Sequence, residues 1–322
     1  MRIGLLMLDI TRAFGQIYTV ANPFQLTAFQ RWADRADLPH KPVLEPFAGA
    51  NNLIRHLERL GLCSSYAAFD IQPTATDVQF RDTLAAFPGG FDVCITNPPW
   101  LAKNSARARG LPFPDCAYDD LYKLALSRCL SHCGYIAAII PEAFIRTNLF
   151  QDRLADFISI RSRLFLDTAH PTGLALFDPT PSEDIRLWAD DRLIGHYHQL
   201  KAQYLPPEIG ENDGYAIDNA IHFNDLNGRL GLIAFDNVRE ASIRFCHIDE
   251  IASYEIKQTS RFITCISLDN PPPITVLNSC LNKIRSATED VFLSSYRGLR
   301  KDGLYRRRLD WDLARRIIHH AQ

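Results

Sequence analysis

Between residues 41 and 144, short apolar runs alternate with stretches whose apolar positions recur every three or four residues. These are the signatures of buried strands and of amphipathic helices. Residues 41–44 read as a strand leading into Glu45, and residues 51–60 as a helix with Leu53, Ile54, Leu57 and Leu60 on one face. Gly61 supplies the stop that a helix end favours. Residues 65–69 form a second expected strand, closing on Asp70, and residues 91–96 a third. A helix over about 118–130 precedes a fourth strand at 134–140. This order predicts an α/β fold, a Rossmann-like parallel sheet with right-handed crossovers and helices on both faces. Ligands of such sheets gather outside the carboxyl ends of the strands, and the polar motifs of this chain fall just there.

Beyond residue 194 the rhythm changes. Strands are expected at 230–235, 242–247 and 261–268, punctuated by Gly210, Asp213, Gly214, Asn224, Asn227 and Gly228 rather than by helices. Pro271, Pro272 and Pro273 lead into a helix at about 274–284. A basic stretch follows, with Arg297, Arg300, Lys301, Arg306, Arg307, Arg308, Arg315 and Arg316 set against Asp302, Asp310 and Asp312. A boundary near residue 195 divides the chain into a domain over 1–194 and a smaller one over 195–322. Two domains is also what 322 residues suggest at about 150 residues each.

The hydrophobic share of 47% and charged share of 22% fit a globular protein and exclude disordered and fibrous classes. A net charge of -2 announces no polyanionic partner, although a local basic face is enough to bind one. No apolar run approaches the roughly 18 residues needed to span a membrane. The run over residues 3–8, cut off by Asp9 and Arg12, is too short for a signal peptide. A cytoplasmic protein without a membrane partner is the expectation. The 8 cysteines contain no CxxC pair. Cys129 and Cys133 flank His132, yet no second pair completes a metal set, so buried thiols and no metal are expected.

The sharpest chemical signal is Asn97-Pro98-Pro99-Trp100, directly after the third strand. Two prolines fix their φ angles near −65° and remove two backbone donors. The segment leaves its strand as a stiff arm with carbonyls available, an Asn side-chain acceptor at its start and a flat indole at its end. Two acceptors beside a ring suit a planar group with an exocyclic amine. Taken alone, the same residues would also make an ordinary turn with a buried tryptophan. The context decides between them. Glu45-Pro46-Phe47-Ala48-Gly49-Ala50-Asn51 forms a strand-to-helix turn in which Gly49 permits close backbone approach and the helix start offers free N–H groups. Asp70 ends the next strand, where a dinucleotide-type site places an acid for ribose hydroxyls, and Asp82 lies between that strand and the arm.

In this order the segments resemble the motifs of S-adenosylmethionine-dependent amino-methyltransferases, in particular the gamma-type DNA adenine-N6 methyltransferases of type II restriction-modification systems. The likeness runs from residue 15 to about 190. The resemblance implies cofactor contacts from Thr19 (in Gly15-Gln16-Ile17-Tyr18-Thr19), from Glu45, Phe47 and Gly49 of the glycine loop, from Asp70 to ribose and from Asp82 to the adenine amine, with Asn97 at the methyl end. Asn97, Pro98, Pro99 and Trp100 correspond to the catalytic motif, and 134–144 to a later structural strand. Val20 stands where the family usually has proline, and Asn51 where a second loop glycine is common. Phe177 is a candidate for a second aromatic on the base but reads better as core.

The reaction implied is methyl transfer to an exocyclic amine of a base flipped out of the duplex, with Trp100 stacked on it. Acceptors at the Asn97 side chain and the Pro98 carbonyl would localise the nitrogen lone pair by preorganised electrostatics. Lys103, Arg107 and Arg109 after the motif, in what reads as a loop, and Arg297 and Arg300 in the basic stretch are candidate phosphate contacts for double-stranded DNA. Residues 195–322 are the expected target-recognition region, and a cognate restriction endonuclease acting separately is the partner the family allows for. The alternatives are a cytosine-N4 enzyme, which more often has Ser in place of Asn97, and an amino-methyltransferase acting on RNA or on a protein glutamine. Those last usually carry an N-terminal domain for which the 40 or so residues before Glu45 leave no space. A catalytically silent DNA-binding module is the reading from a different class, and the intact motif speaks against it.

Overall fold

Strand β1 (Val43–Glu45) is the pivot of the larger unit's sheet: it pairs in parallel with β2 (Tyr66–Asp70) on one side and with β4 (Val93–Thr96) on the other. β3 (Gln79–Phe80) extends the sheet beyond β2, and β5 (Tyr135–Pro141) beyond β4, both in parallel. The chain therefore works outward from β1 to β3, then returns to β4 on the opposite flank. This leaves a topological switch point between β1 and β4, where α/β sheets open a crevice at their carboxyl ends.

This computed structural model describes residues 22–161, 164, 170–209 and 221–322. The chain divides into two units, Met1–Leu193 and Ile194–Gln322.

Alternation along the strands shows which helices cover which face. Val93 and Ile95 of β4, with Ala137 and Ile139 of β5, join a core with Phe29 and Trp32 of α1 (Thr27–Arg35) and Leu53, Ile54 and Leu57 of α2 (Asn52–Arg59). Cys94 points the other way, its Sγ 3.7 Å from Cys129 of α4 (Leu121–His132). Helices thus cover both faces, as the periodicity required. The Asp120 carboxylate caps α4 by accepting from the Tyr122 amide. Gly61, at φ 70°, ends α2 in the left-handed conformation that glycine adopts without strain.

The parallel arrangement expected from the sequence stops at β5. β7 (Thr172–Phe177) lies antiparallel between β5 and β6 (Leu154–Ile160), and β8 (Arg186–Ala189) with β9 (Arg192–His196) completes a mixed sheet in the order β3-β2-β1-β4-β5-β7-β6-β8-β9 among the described residues. β6 and β7 are buried on both faces, so their apolar runs carry no alternation from which direction could be read. Phe177 is core, fully buried at the end of β7, and its carbonyl accepts from the Trp32 indole N–H at 3.1 Å.

The second unit holds α5 (Tyr197–Tyr204) and an antiparallel sheet, β10 (His222–Phe223), β13 (Ile263–Ser267), β11 (Leu230–Ile233) and β12 (Arg244–His247) in spatial order. Its core joins Leu230, Leu232 and Ile266 to Leu277, Leu281 and Ile284 of α6 (Ile274–Thr288) and Leu313 and Ile317 of α7 (Trp311–His320). Between these helices lies the hairpin β14 (Ser294–Leu299) and β15 (Tyr305–Arg308). The basic stretch is thus folded structure. Asp236, fully buried, accepts from Arg285 at 3.0 Å and from Arg300 at 2.9 Å, and Arg300 also grips Asp302 at 2.8 Å. Arg316 is buried against the carbonyls of Pro206 and Pro207. Among the described residues no helix is long and apolar enough to cross a membrane, and no cluster of His, Cys, Asp and Glu with metal-holding geometry occurs.

Candidate active site

The crevice at the switch point is a cavity lined by the glycine loop, the ends of β2 and β4 and the first residue of α4. Its geometry begins with the loop after β1. Gly49 sits at φ 50° and Asn51 at φ 60°. Asparagine is among the few side chains that tolerate this conformation, which accounts for Asn51 at a place where glycine would also fit. Its Nδ2 donates to Asp77 at 2.8 Å. The left-handed pair turns the loop so that the Gly49 amide donates to Asp70 Oδ2 at 2.8 Å. Asp70 Oδ1 meanwhile accepts from the Gln72 amide at 2.7 Å. These two backbone donors help fix the carboxylate at the mouth of the loop. Asp82 is held in the same manner, accepting from the Leu84 and Ala85 amides at 3.1 Å each.

Glu45 is the unusual group. It is 1% exposed, and its Oε1 accepts from the Phe47 amide at 3.1 Å and from the Thr96 hydroxyl at 2.8 Å. Its Oε2 is buried with no hydrogen-bond partner. Burial pushes the carboxyl up to about 8, against the lowering pull of those two hydrogen bonds. A buried acid edge of this kind is costly unless a cation or donor meets it.

The arm after β4 is braced from α4. The Leu121 amide donates to the Leu101 carbonyl at 3.0 Å and the Lys103 amide to Asp119 at 2.8 Å, with a β-bridge between Ala102 and Asp120. Burial raises the Asp120 carboxyl to about 6 despite the backbone donors of Tyr122 and Leu101. Rigid prolines on one side and this bridge on the other hold the corner in place.

Of the residues singled out in the sequence, Glu45, Phe47, Gly49, Asp70, Asp82, Asn97 and Pro99 line the one cavity. Pro98 and Trp100 are not among its lining. Trp100 is half-buried, packs against the core that holds Trp32, and meets His170 edge-on at 6.2 Å. Thr19, with the whole 15–19 motif, lies outside the described residues. Lys103, Arg107 and Arg109 are exposed, but on and just after a short helix, α3 (Lys103–Ala108), where a loop was expected. Arg297 is exposed on β14. Arg300 is a correction: 7% exposed and committed to Asp236 and Asp302, it is unavailable to a phosphate. The sequence reading also passed over Ile71, Leu84, Leu121 and Thr96. Ile71, an exposed apolar residue directly after the strand-ending acid, was the one visible signal.

No family model and no curated protein matches the chain. Solved structures do. The methyltransferase subunit of a type I restriction-modification system from Streptococcus thermophilus is 15% identical, with a TM-score of 0.39 over 54% of this chain and 47% of that one, so the chain spans about half its length. The M protein of the type I restriction enzyme EcoKI is 12% identical, with a TM-score of 0.35 over 79% of this chain and 68% of that one. An rRNA methylase from Streptococcus thermophilus is 13% identical, with a TM-score of 0.32 over 51% of this chain and 100% of that one.

Proposed function

We propose that this chain transfers a methyl group from S-adenosylmethionine to the N6 amine of an adenine flipped out of double-stranded DNA. The observation that carries the reading is the meeting of Glu45, Gly49, Asp70 and Asp82 with Asn97 and Pro99 around one cavity at the switch point.

The cavity's chemistry suits the cofactor. The buried, unpartnered Oε2 of Glu45 fits the cationic methionine end. Asp70, fixed by Gly49 and Gln72, offers acceptors to ribose hydroxyls. Ile71, Leu84 and Leu121 give an apolar slot for the adenine ring, with Asp82 beside them to accept from its amine. When bound, S-adenosylmethionine supplies a methyl group on an electrophilic sulfonium.

The protein's own part is to make a poor nucleophile reactive. The amine lone pair of adenine is delocalised into the ring. The Asn97 side-chain oxygen and the Pro98 carbonyl accept its two hydrogens, which favours a tetrahedral nitrogen and localises that pair. The prolines and the bridge to α4 keep the acceptors from relaxing away, which is the positional part of catalysis. Because Pro98 and Trp100 stand outside the cavity lining, the base is assigned to the outer side of the corner, next to the cofactor space. Trp100 stacks there on the extruded ring, and Lys103, Arg107, Arg109 and Arg297 contact phosphates. The unit from residue 194 onward carries target recognition.

The test is incubation of unmethylated plasmid DNA with the protein and methyl-labelled cofactor, followed by nucleoside analysis. Label in N6-methyl-2′-deoxyadenosine is expected. Label in N4-methylcytosine moves the acceptor to cytosine, label in RNA or protein removes DNA as substrate, and no transfer with bound cofactor leaves only a binding module.

A further inference from the structure

The second unit carries an exposed aromatic cluster that the reading above does not use. Phe235, just after β11, meets Phe262 at a ring-centroid distance of 4.8 Å and Tyr296 of β14 at 4.7 Å, while Phe262 and Tyr296 stand 6.0 Å apart. Despite closing on one another, Phe262 and Tyr296 remain 43% and 42% exposed. Val238, on the loop after Phe235, and Leu299, farther along β14, are 57% and 42% exposed. The Lys301 amide donates to the Val238 carbonyl at 2.9 Å, which sets that loop beside the hairpin turn. Single exposed apolar residues need no explanation, but several gathered on one surface mark an interaction site.

The charge around the rings is mainly positive. The Arg306 guanidinium lies 3.9 Å over the Phe235 ring. Along β15, Tyr305 and Arg307 turn inward, so Arg306 and Arg308 share the outward face. Arg261 and Lys301 are exposed beside Phe262 and the hairpin turn. Against them stands Glu240 on the exposed loop, since Asp236 is buried among arginines and Asp302 is held by Arg300. An apolar surface ringed by cations fits a polyanion with flat, partly apolar edges. Phe235 is covered by Arg306 and Tyr296 stands edge-on to it. The Phe235 face under Arg306 is thus closed to an unstacked base, which favours a duplex over a single strand.

We propose that this ring-and-arginine face is where the second unit grips double-stranded DNA, with Phe262 and Tyr296 against sugars and groove edges and Arg261, Lys301, Arg306 and Arg308 on phosphates. It rests on the reading of DNA as substrate.

Fluorescence anisotropy with a labelled duplex over a salt series tests it, using the full chain and two double variants, Phe262→Ser with Tyr296→Ser and Arg261→Gln with Lys301→Gln. Cofactor affinity and sedimentation are measured in parallel. The ring variant should bind about tenfold more weakly with its salt slope unchanged. The charge variant should lose about two from that slope. Both should keep wild-type cofactor affinity and melting behaviour. If the wild type binds duplex and both variants match it in affinity and slope, the face is not the DNA surface and the substrate reading survives. If the variants instead lose self-association, the face joins copies of the chain. A wild type that binds no duplex overturns the face and the substrate reading together.

Discussion

The Thr96 hydroxyl donates to Glu45 Oε1 across 2.8 Å, tying the carboxyl end of β4 to that of β1 over the switch point. The bond couples the two halves of the proposed site. Glu45 begins the glycine loop and Thr96 immediately precedes Asn97. It also leaves the other Glu45 oxygen buried and unpartnered beside the cavity, with the carboxyl raised to about 8 by burial.

Cofactor affinity should therefore depend on pH. A cationic group meeting Glu45 favours the carboxylate, so binding below about pH 8 must expel a proton. Apparent affinity should fall by up to about tenfold per unit as pH drops below that value, and level off above it. Calorimetry from about pH 6 to about pH 9 in buffers of different ionisation heat reads both the affinity and the released proton. In Glu45→Gln the slope should vanish.

Stability should change in the opposite direction. The folded carboxyl is raised from its ordinary 4.5 to about 8, so between these values the folded state holds a proton that the unfolded chain has lost. The unliganded wild type should weaken as pH rises through this window and then level off, by up to about 5 kcal/mol in all. Glu45→Gln, which keeps an acceptor for Thr96 and Phe47, should not weaken. Melting temperatures of the two proteins across the window decide it.

Asn51 should prove more tolerant of glycine than of alanine. Its φ of 60° costs a residue with a Cβ about 1 kcal/mol or more. Both substitutions lose the bond to Asp77 and its roughly 1 kcal/mol. Urea denaturation should place Asn51→Ala below Asn51→Gly by about the strain term.

The β1–β4 crevice was legible because strand periods, the Gly49 turn, Asp70 and the Asn-Pro-Pro arm are local patterns, each set within a few residues. What escaped was set at long range. Arg300 looked like a solvated cation because its partner Asp236 lies 64 residues away in the chain. Arg316 is buried for a comparable reason, its guanidinium meeting Pro206, 110 residues away. The direction of β7 is fixed by pairing on both sides, which no apolar run of six residues encodes. The α3 helix was read as a loop because a helix of 6 residues offers too little periodicity between Gly110 and the prolines.

Arg300 should act as structure. The Asp236 carboxyl loses to burial but gains more from Arg285 and Arg300, which together hold it below its ordinary range. Its stabilising share is present above the ordinary value of 3.8 and is lost as pH falls below that. Asp236→Ala removes the buried anion shared by Arg285 and Arg300, leaving them only their second partners Asp290 and Asp302, and should destabilise the second unit by about 3–5 kcal/mol. Arg300→Gln should lower the melting temperature while leaving the salt slope of duplex binding unchanged. A changed slope with unchanged stability would return Arg300 to the DNA surface.

The most direct measurement pairs cofactor affinity with the single-turnover rate of transfer to DNA, in the wild type and in Asn97→Ala. The account predicts label in N6-methyl-2′-deoxyadenosine for the wild type. For the variant it predicts an affinity within a few-fold and a rate lower by about a hundredfold or more. A variant that transfers at the wild-type rate would contradict it, as would a wild type that binds the cofactor and labels no adenine.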